Sequence, residues 1–221
     1  DSGGHTDNRP ALTLFPTILA LRDKKQAVFN YAQPPRIGLG GGISTPWSAA
    51  AAYAMGAAFI VTGSVNQACV ESGTSHGVRQ MLAETRQADV AMAPAADMFE
   101  MGVKVQVLKR GTMFAMRAAK LYELYRNYGA IEEIPSVERK KIEKSILRCS
   151  FEESWQETKS FWRHRDPSEI ERASVNPKHK MALIFRSYLG RAAVWARNGE
   201  HSRKIDYQIY CGPSMGAFNE W

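Results

Sequence analysis

Cysteine is scarce in this chain: Cys69, Cys149 and Cys211 stand far apart and form no C-x-x-C pair. A disulfide framework or a structural zinc site needs closely paired ligands, so both are excluded. The five histidines (His5, His76, His164, His179, His201) lack the i, i+4 pairing that sets two ligands on one helix face. No metal is expected, and the thiols are expected to be reduced, as in a cytoplasmic protein. Apolar runs are short as well. None approaches the roughly 18–20 residues that a membrane span requires. Asp1–Pro10 is polar and glycine-rich, not a basic start followed by an apolar stretch, so no signal peptide is expected. Internal repeats and a Pro/Gly/Ser linker are also missing.

What is present suits a folded domain. Of the 221 residues 44% are hydrophobic, with five tryptophans, enough for a sizeable core. The net charge of +7 raises the question of nucleic acid. Its basic clusters, Arg139–Lys141, Lys178–Lys180 and Arg203–Lys204, adjoin helical patterns rich in glutamate and do not interleave with aromatic residues. A strand-stacking platform needs that interleaving, so solvated helix faces or docking of an acidic protein are the readings left.

The texture changes near residue 110. Before it, Gly and Ala abound and β-like runs are short; after it the pattern is helical. A helix carrying Leu14, Phe15, Ile18, Leu19 and Leu21 is expected after a Thr13 cap, with Pro16 in its first turn. Arg36–Leu39 reads as a strand entering Gly40-Gly41-Gly42, then a helix over Trp47–Met55, then a strand Ala57–Val61 closing on Thr62-Gly63-Ser64. This is a βαβ unit with parallel, buried strands. Val103, Val105 and Val107 alternate with polar residues as in a half-exposed strand. Beyond it, three helices are expected: Met113–Tyr128, one capped by Ser150 with Glu153, and one opened by Asn176-Pro177 and ended by Gly199.

Three turns carry the chemistry: Ser2-Gly3-Gly4-His5, Gly40-Gly41-Gly42-Ile43 and Thr62-Gly63-Ser64. In a parallel α/β protein such turns gather at one end of the sheet, where ligands bind. Glycines admit a phosphate close to the backbone, and the Ser64 or Thr62 hydroxyl adds a donor. Gly38–Ile43 lacks the sixth-position glycine of G-x-G-x-x-G, which disfavours a Rossmann dinucleotide site.

The order and spacing of these turns resemble the nitronate monooxygenase/2-nitropropane dioxygenase superfamily of FMN barrels. The strings DSGGHTDNRP (1–10), IGLGGGIS (37–44), TGSVNQACVESGTS (62–75), APAADMFEMGVKVQVLKRGTMF (93–114) and DYQIYCGPSMGAFNEW (206–221) resemble one branch more closely. That branch is the PfaD-type enoyl reductase of polyunsaturated-fatty-acid synthases and trans-acyltransferase polyketide synthases. The resemblance implies an α/β fold: residues 1–110 as the last three β/α units of a (β/α)₈ TIM barrel, and 111–221 as a mainly helical extension or lid. It implies FMN with its phosphate held by Gly40, Gly41, Gly42, Thr62, Gly63 and Ser64. Gly3 and Gly4 would pass close to the flavin, and His5 would serve the substrate as proton donor or enolate stabiliser. NADPH would supply the hydride, and the partners would be an acyl carrier protein bearing an enoyl thioester and its synthase modules. No nucleic acid or membrane is implied, and a homodimer is compatible. In the superfamily the Gly-Gly-His turn follows the sixth strand, whereas here it opens the chain. The expectation is therefore a C-terminal portion of the barrel. The rivals are a nitronate monooxygenase-like FMN oxidoreductase and a non-catalytic interaction module.

Overall fold

The computed structural model describes residues 10–221. The turn with Gly3, Gly4 and His5 lies outside them. The chain divides into two compact units. Unit 1 runs to Ala91 and takes in Val105–Arg110 and Ile209–Trp221; unit 2 comprises Met92–Lys104 and Gly111–Gln208.

Unit 1 begins with α1 (Ala11–Phe29), which starts earlier than expected. Its N-cap is Pro10, not Thr13, and Pro16 therefore lies inside the helix. Proline has no N–H to offer the carbonyl four residues back. Around it, the Thr13 hydroxyl donates to the Pro10 carbonyl at 3.1 Å and the Thr17 hydroxyl to that of Thr13 at 2.9 Å. Then follow β1 (Leu39–Gly40), α2 (Pro46–Ala54) and β2 (Ile60–Val61). Both strands are shorter than the sequence suggests, because each has one ladder partner among the described residues. They pair in parallel, Leu39 opposite Ile60 and Gly40 opposite Val61. Phe15, Ile43, Ala52 and Ala57 form the small core beneath, with Leu19, Ile37 and Leu39 packed on it.

The chain continues through α3 (Ser64–Gln67) and α4 (His76–Ala83) to β3 (Val90–Pro94) and β4 (Lys104–Leu108), a separate two-stranded sheet. The expected half-exposed strand is instead buried from Val105 to Leu108, Gln106 included. Val107 of β4 bridges Tyr210 antiparallel, which brings in the last helix of the chain. That helix packs on α3, α4 and the turn Gln87–Asp89 so closely that a Cβ on its Gly216 would stand 2.1 Å from the Gln87 nitrogen. Only glycine fits there.

Unit 2 is helical: α5 (Phe114–Asn127), α6 (Ser136–Ile142), α7 (Phe151–Arg165), α8 (Ser168–Val175) and α9 (Pro177–Asn198). The chain ends in unit 1 with α10 (Pro213–Glu220). α7 starts at the expected capping box: the Ser150 side chain accepts from the Glu153 N–H, and the Glu153 carboxylate accepts from the Ser150 N–H. The Asn176 side chain caps α9, and Gly199 at φ +69° closes it. α6 widens into a π-helical turn, Glu143–Leu147, closed by the Arg148 N–H on the Glu143 carbonyl at 2.7 Å. α5, α7 and α8 all pack on α9, whose Met181–Phe185 run is wholly buried. Among the described residues no helix is long and apolar enough to cross a membrane.

Candidate functional site

The parallel register of β1 and β2 decides where the two glycine turns lie. Strands paired in parallel end on the same side, so Gly40-Gly41-Gly42 and Thr62-Gly63-Ser64 emerge side by side. Gly41 has φ +105° and Gly42 φ +72°, a left-handed backbone that side chains resist. A Cβ added to Gly42 would meet nothing within 4 Å. The space above it is open, and the turn presents bare backbone to that space.

Each turn is locked to the element that follows. Ile43 is buried in the unit 1 core, while Thr45 and Ser48 form a capping box at the head of α2. The Ser48 Oγ also accepts from the N–H groups of Ser44 and Thr45, both at 3.0 Å. The first turn of α2 is thus bonded within itself, and an anion here would rely on the glycine backbone of the preceding turn. In the second turn, Asn66 Nδ2 donates to the Thr62 carbonyl and the Thr62 hydroxyl donates to Asn66 Oδ1, both at 3.1 Å.

Ser64 is buried, and its Oγ accepts from the Gly212 N–H at 2.8 Å. Sequence reasoning did not foresee this contact between residues 148 positions apart. The Cys211 N–H in turn donates to the Gln106 carbonyl at 3.3 Å. Burial pushes the Cys211 thiol up to about 12, with the Asp89 carboxylate adding to it, so this group stays protonated and is no nucleophile at neutral pH. Burial also raises Cys149. Among the described residues no cluster of His, Cys, Asp or Glu could hold a metal ion.

Of the expected site residues, Gly40, Gly41, Gly42, Thr62, Gly63 and Ser64 stand at one end of one strand pair; Gly3, Gly4 and His5 lie outside the described residues. The open space over Gly42 and the side-chain-free backbone of Gly41 and Gly42 leave room for a phosphate-sized group at this turn.

Comparisons with known proteins agree on the biosynthetic setting. Residues 128–207 match the model of the inserted helical domain of [acyl-carrier-protein] S-malonyltransferase. The whole chain is 52% identical to part of a polyunsaturated fatty acid synthase polypeptide of a Thraustochytrium species, spanning 15% of that protein. It is 47% identical to part of the polyketide biosynthesis protein PksE of Bacillus subtilis, spanning 28% of it. Among solved structures, the enoyl reductase domain of MlnA, from the macrolactin biosynthesis cluster of Bacillus amyloliquefaciens, superposes with a TM-score of 0.92. That match, at 41% identity, covers 98% of this chain and 48% of the other. The chain therefore spans a minor part of these curated relatives and about half of the solved domain.

Proposed function

We propose that this chain is part of an FMN-dependent, trans-acting enoyl reductase, supplying the phosphate end of the flavin site. Its substrates are enoyl thioesters carried on an acyl carrier protein in polyketide or polyunsaturated-fatty-acid biosynthesis. The observation that carries this reading is the pairing of the two glycine turns at one end of parallel strands, in a chain that matches an enoyl reductase domain over 98% of its length. The architecture proposed is the last β/α units of a TIM barrel followed by a helical extension. Exposed Leu12, Trp47 and Val61 in unit 1 support it, since such residues suit a larger layered fold. Bound FMN, reduced by NADPH, would supply hydride to the β-carbon of the thioester. The chain's own residues bind and position: the Gly40–Gly42 and Thr62–Ser64 turns hold the phosphate, and His5 gives a proton to the α-carbon or bonds the thioester oxygen. The carrier protein as partner draws support from the helical match, whose enzyme acts on acyl carrier protein.

A glycine-to-alanine pair tests the phosphate assignment. Gly42→Ala puts a methyl group into the open space, and Gly73→Ala adds a methyl at an equally left-handed glycine (φ +69°) with equally empty surroundings. Both variants bear a similar backbone strain of roughly 1 kcal/mol. In the intact protein Gly42→Ala is expected to lose most of its FMN on gel filtration, read from flavin absorbance, while Gly73→Ala retains it. Equal retention in both would overturn the assignment.

A further inference from the structure

The two glycine turns of unit 1 are anchored in different ways. Gly40–Gly42 leads into buried Ile43 and the capping box of Thr45 and Ser48, so its anchors are local. Thr62-Gly63-Ser64 leads into α3, a helix of only four residues. A single helical turn makes too few hydrogen bonds to hold its own place. The chain beyond it is exposed from Cys69 to Gly73. Ser64 is the buried residue of α3, and the N–H that reaches its hydroxyl comes from Gly212.

Gly212 is placed by the segment around it. It precedes Pro213, and a residue before proline is pushed towards extended backbone; Gly212 has ψ 173°. Its N–H is buried and needs an acceptor, which the Ser64 Oγ supplies at 2.8 Å. Upstream, the Leu108 N–H donates to the Ile209 carbonyl at 2.9 Å, which stitches the segment to β4. Downstream, α10 is gripped at its far end. Asn219 Nδ2 donates to the carbonyls of Leu82 and Thr85, both at 2.8 Å, where α4 ends. Between these points Gly216 lies against the Gln87 backbone with no room for a methyl group, which fixes how closely α10 can seat.

We infer that Ile209–Trp221 is a positioning strap for the flavin phosphate, setting the Thr62–Ser64 turn through the hydrogen bond from Gly212 to Ser64. This rests on the phosphate assignment proposed above. Gly212, Gly216 and Asn219 are positioning residues: they act through Ser64, and they favour a flavin that carries a phosphate over one that does not.

Dissociation constants of FMN and riboflavin for the intact protein, read by quenching of flavin fluorescence, test the strap. Riboflavin has the same ring system and ribityl chain without the phosphate, so the ratio of the two constants isolates the phosphate end. Gly216→Ala lifts α10 from Gln87 one helical turn beyond Gly212, and Asn219→Ala releases the far end of α10 without adding bulk. Gly216→Ala is expected to weaken FMN roughly tenfold, the scale of one hydrogen bond to a charged group, with riboflavin changed by less than about twofold. Asn219→Ala is expected to act in the same direction by roughly threefold, and its result stands alone if Gly216→Ala does not fold. A helix that merely packs unit 1 would weaken both flavins alike and leave their ratio at the parent value. That result, or unchanged binding of both flavins, would overturn the strap while leaving the phosphate assignment intact. A parent protein that binds riboflavin as tightly as FMN would overturn the phosphate assignment, and the strap with it.

Discussion

Changing His5 to alanine in the intact protein is expected to slow reduction of an enoyl thioester by roughly 10²- to 10⁴-fold, the usual contribution of a general acid. His5 lies outside the described residues, and the expectation rests on the resemblance of the Gly3-Gly4-His5 string to the flavin-binding family. A group that protonates the α-carbon, or bonds the thioester oxygen, acts only when reduced flavin meets the enoyl substrate. Bleaching of the flavin by NADPH protonates no substrate carbon, so its rate is expected to change much less. Flavin content is likewise expected to hold. If His5 merely packs against the cofactor, both half-reactions and FMN retention fall together. Stopped-flow measurement of the two half-reactions separates these outcomes.

The second large effect is structural. Asp206 is fully buried in unit 2, where its carboxylate accepts from Arg117, from the Tyr188 hydroxyl at 2.8 Å and from Arg203 at 3.3 Å. Arg148 faces it at 3.4 Å. Burial, with the carboxylate beside it, holds the Tyr188 hydroxyl far above its ordinary range, so it remains a donor. Arg203 also donates to the carbonyls of Ile146 and Leu147 and lies 4.4 Å above the Trp195 ring. One carboxylate thus joins α5, the π-helical turn and α9. Removing one member of a buried charge network strands the others, and Asp206→Ala is expected to cost about 3–5 kcal/mol. Urea unfolding followed by tryptophan fluorescence reads it. A loss below about 1 kcal/mol would show that the arginines find other partners or water.

The helices of unit 2 were legible in the sequence where local chemistry defines them. Ser150 with Glu153, Asn176 before Pro177 and Gly199 each satisfy helix-end groups within a few residues, so their signals survive folding unchanged. The glycine turns were legible for a similar reason, since Gly41 and Gly42 answer to their own backbone angles. The start of α1 was misplaced because Thr13 looks like a cap, while Pro10 supplies the extended entry. β3 escaped notice because Val-Ala-Met-Ala-Pro has little β-branched character and owes its place to pairing with β4. The Asp206 cluster was invisible for a deeper reason. Arg117 stands 89 residues from it, and no periodicity links them. Ser64 and Gly212 are another such pair.

The central claim is that flavin held at the paired glycine turns reduces an enoyl thioester. Anaerobic single turnover tests it most directly: the intact protein, loaded with FMN and bleached with NADPH, is mixed with a crotonyl thioester on carrier protein. The expected result is return of flavin absorbance in step with loss of the double bond, one saturated thioester for each flavin. Flavin that stays bleached with the thioester but recovers with a nitroalkane, or a protein that retains no FMN, would contradict it.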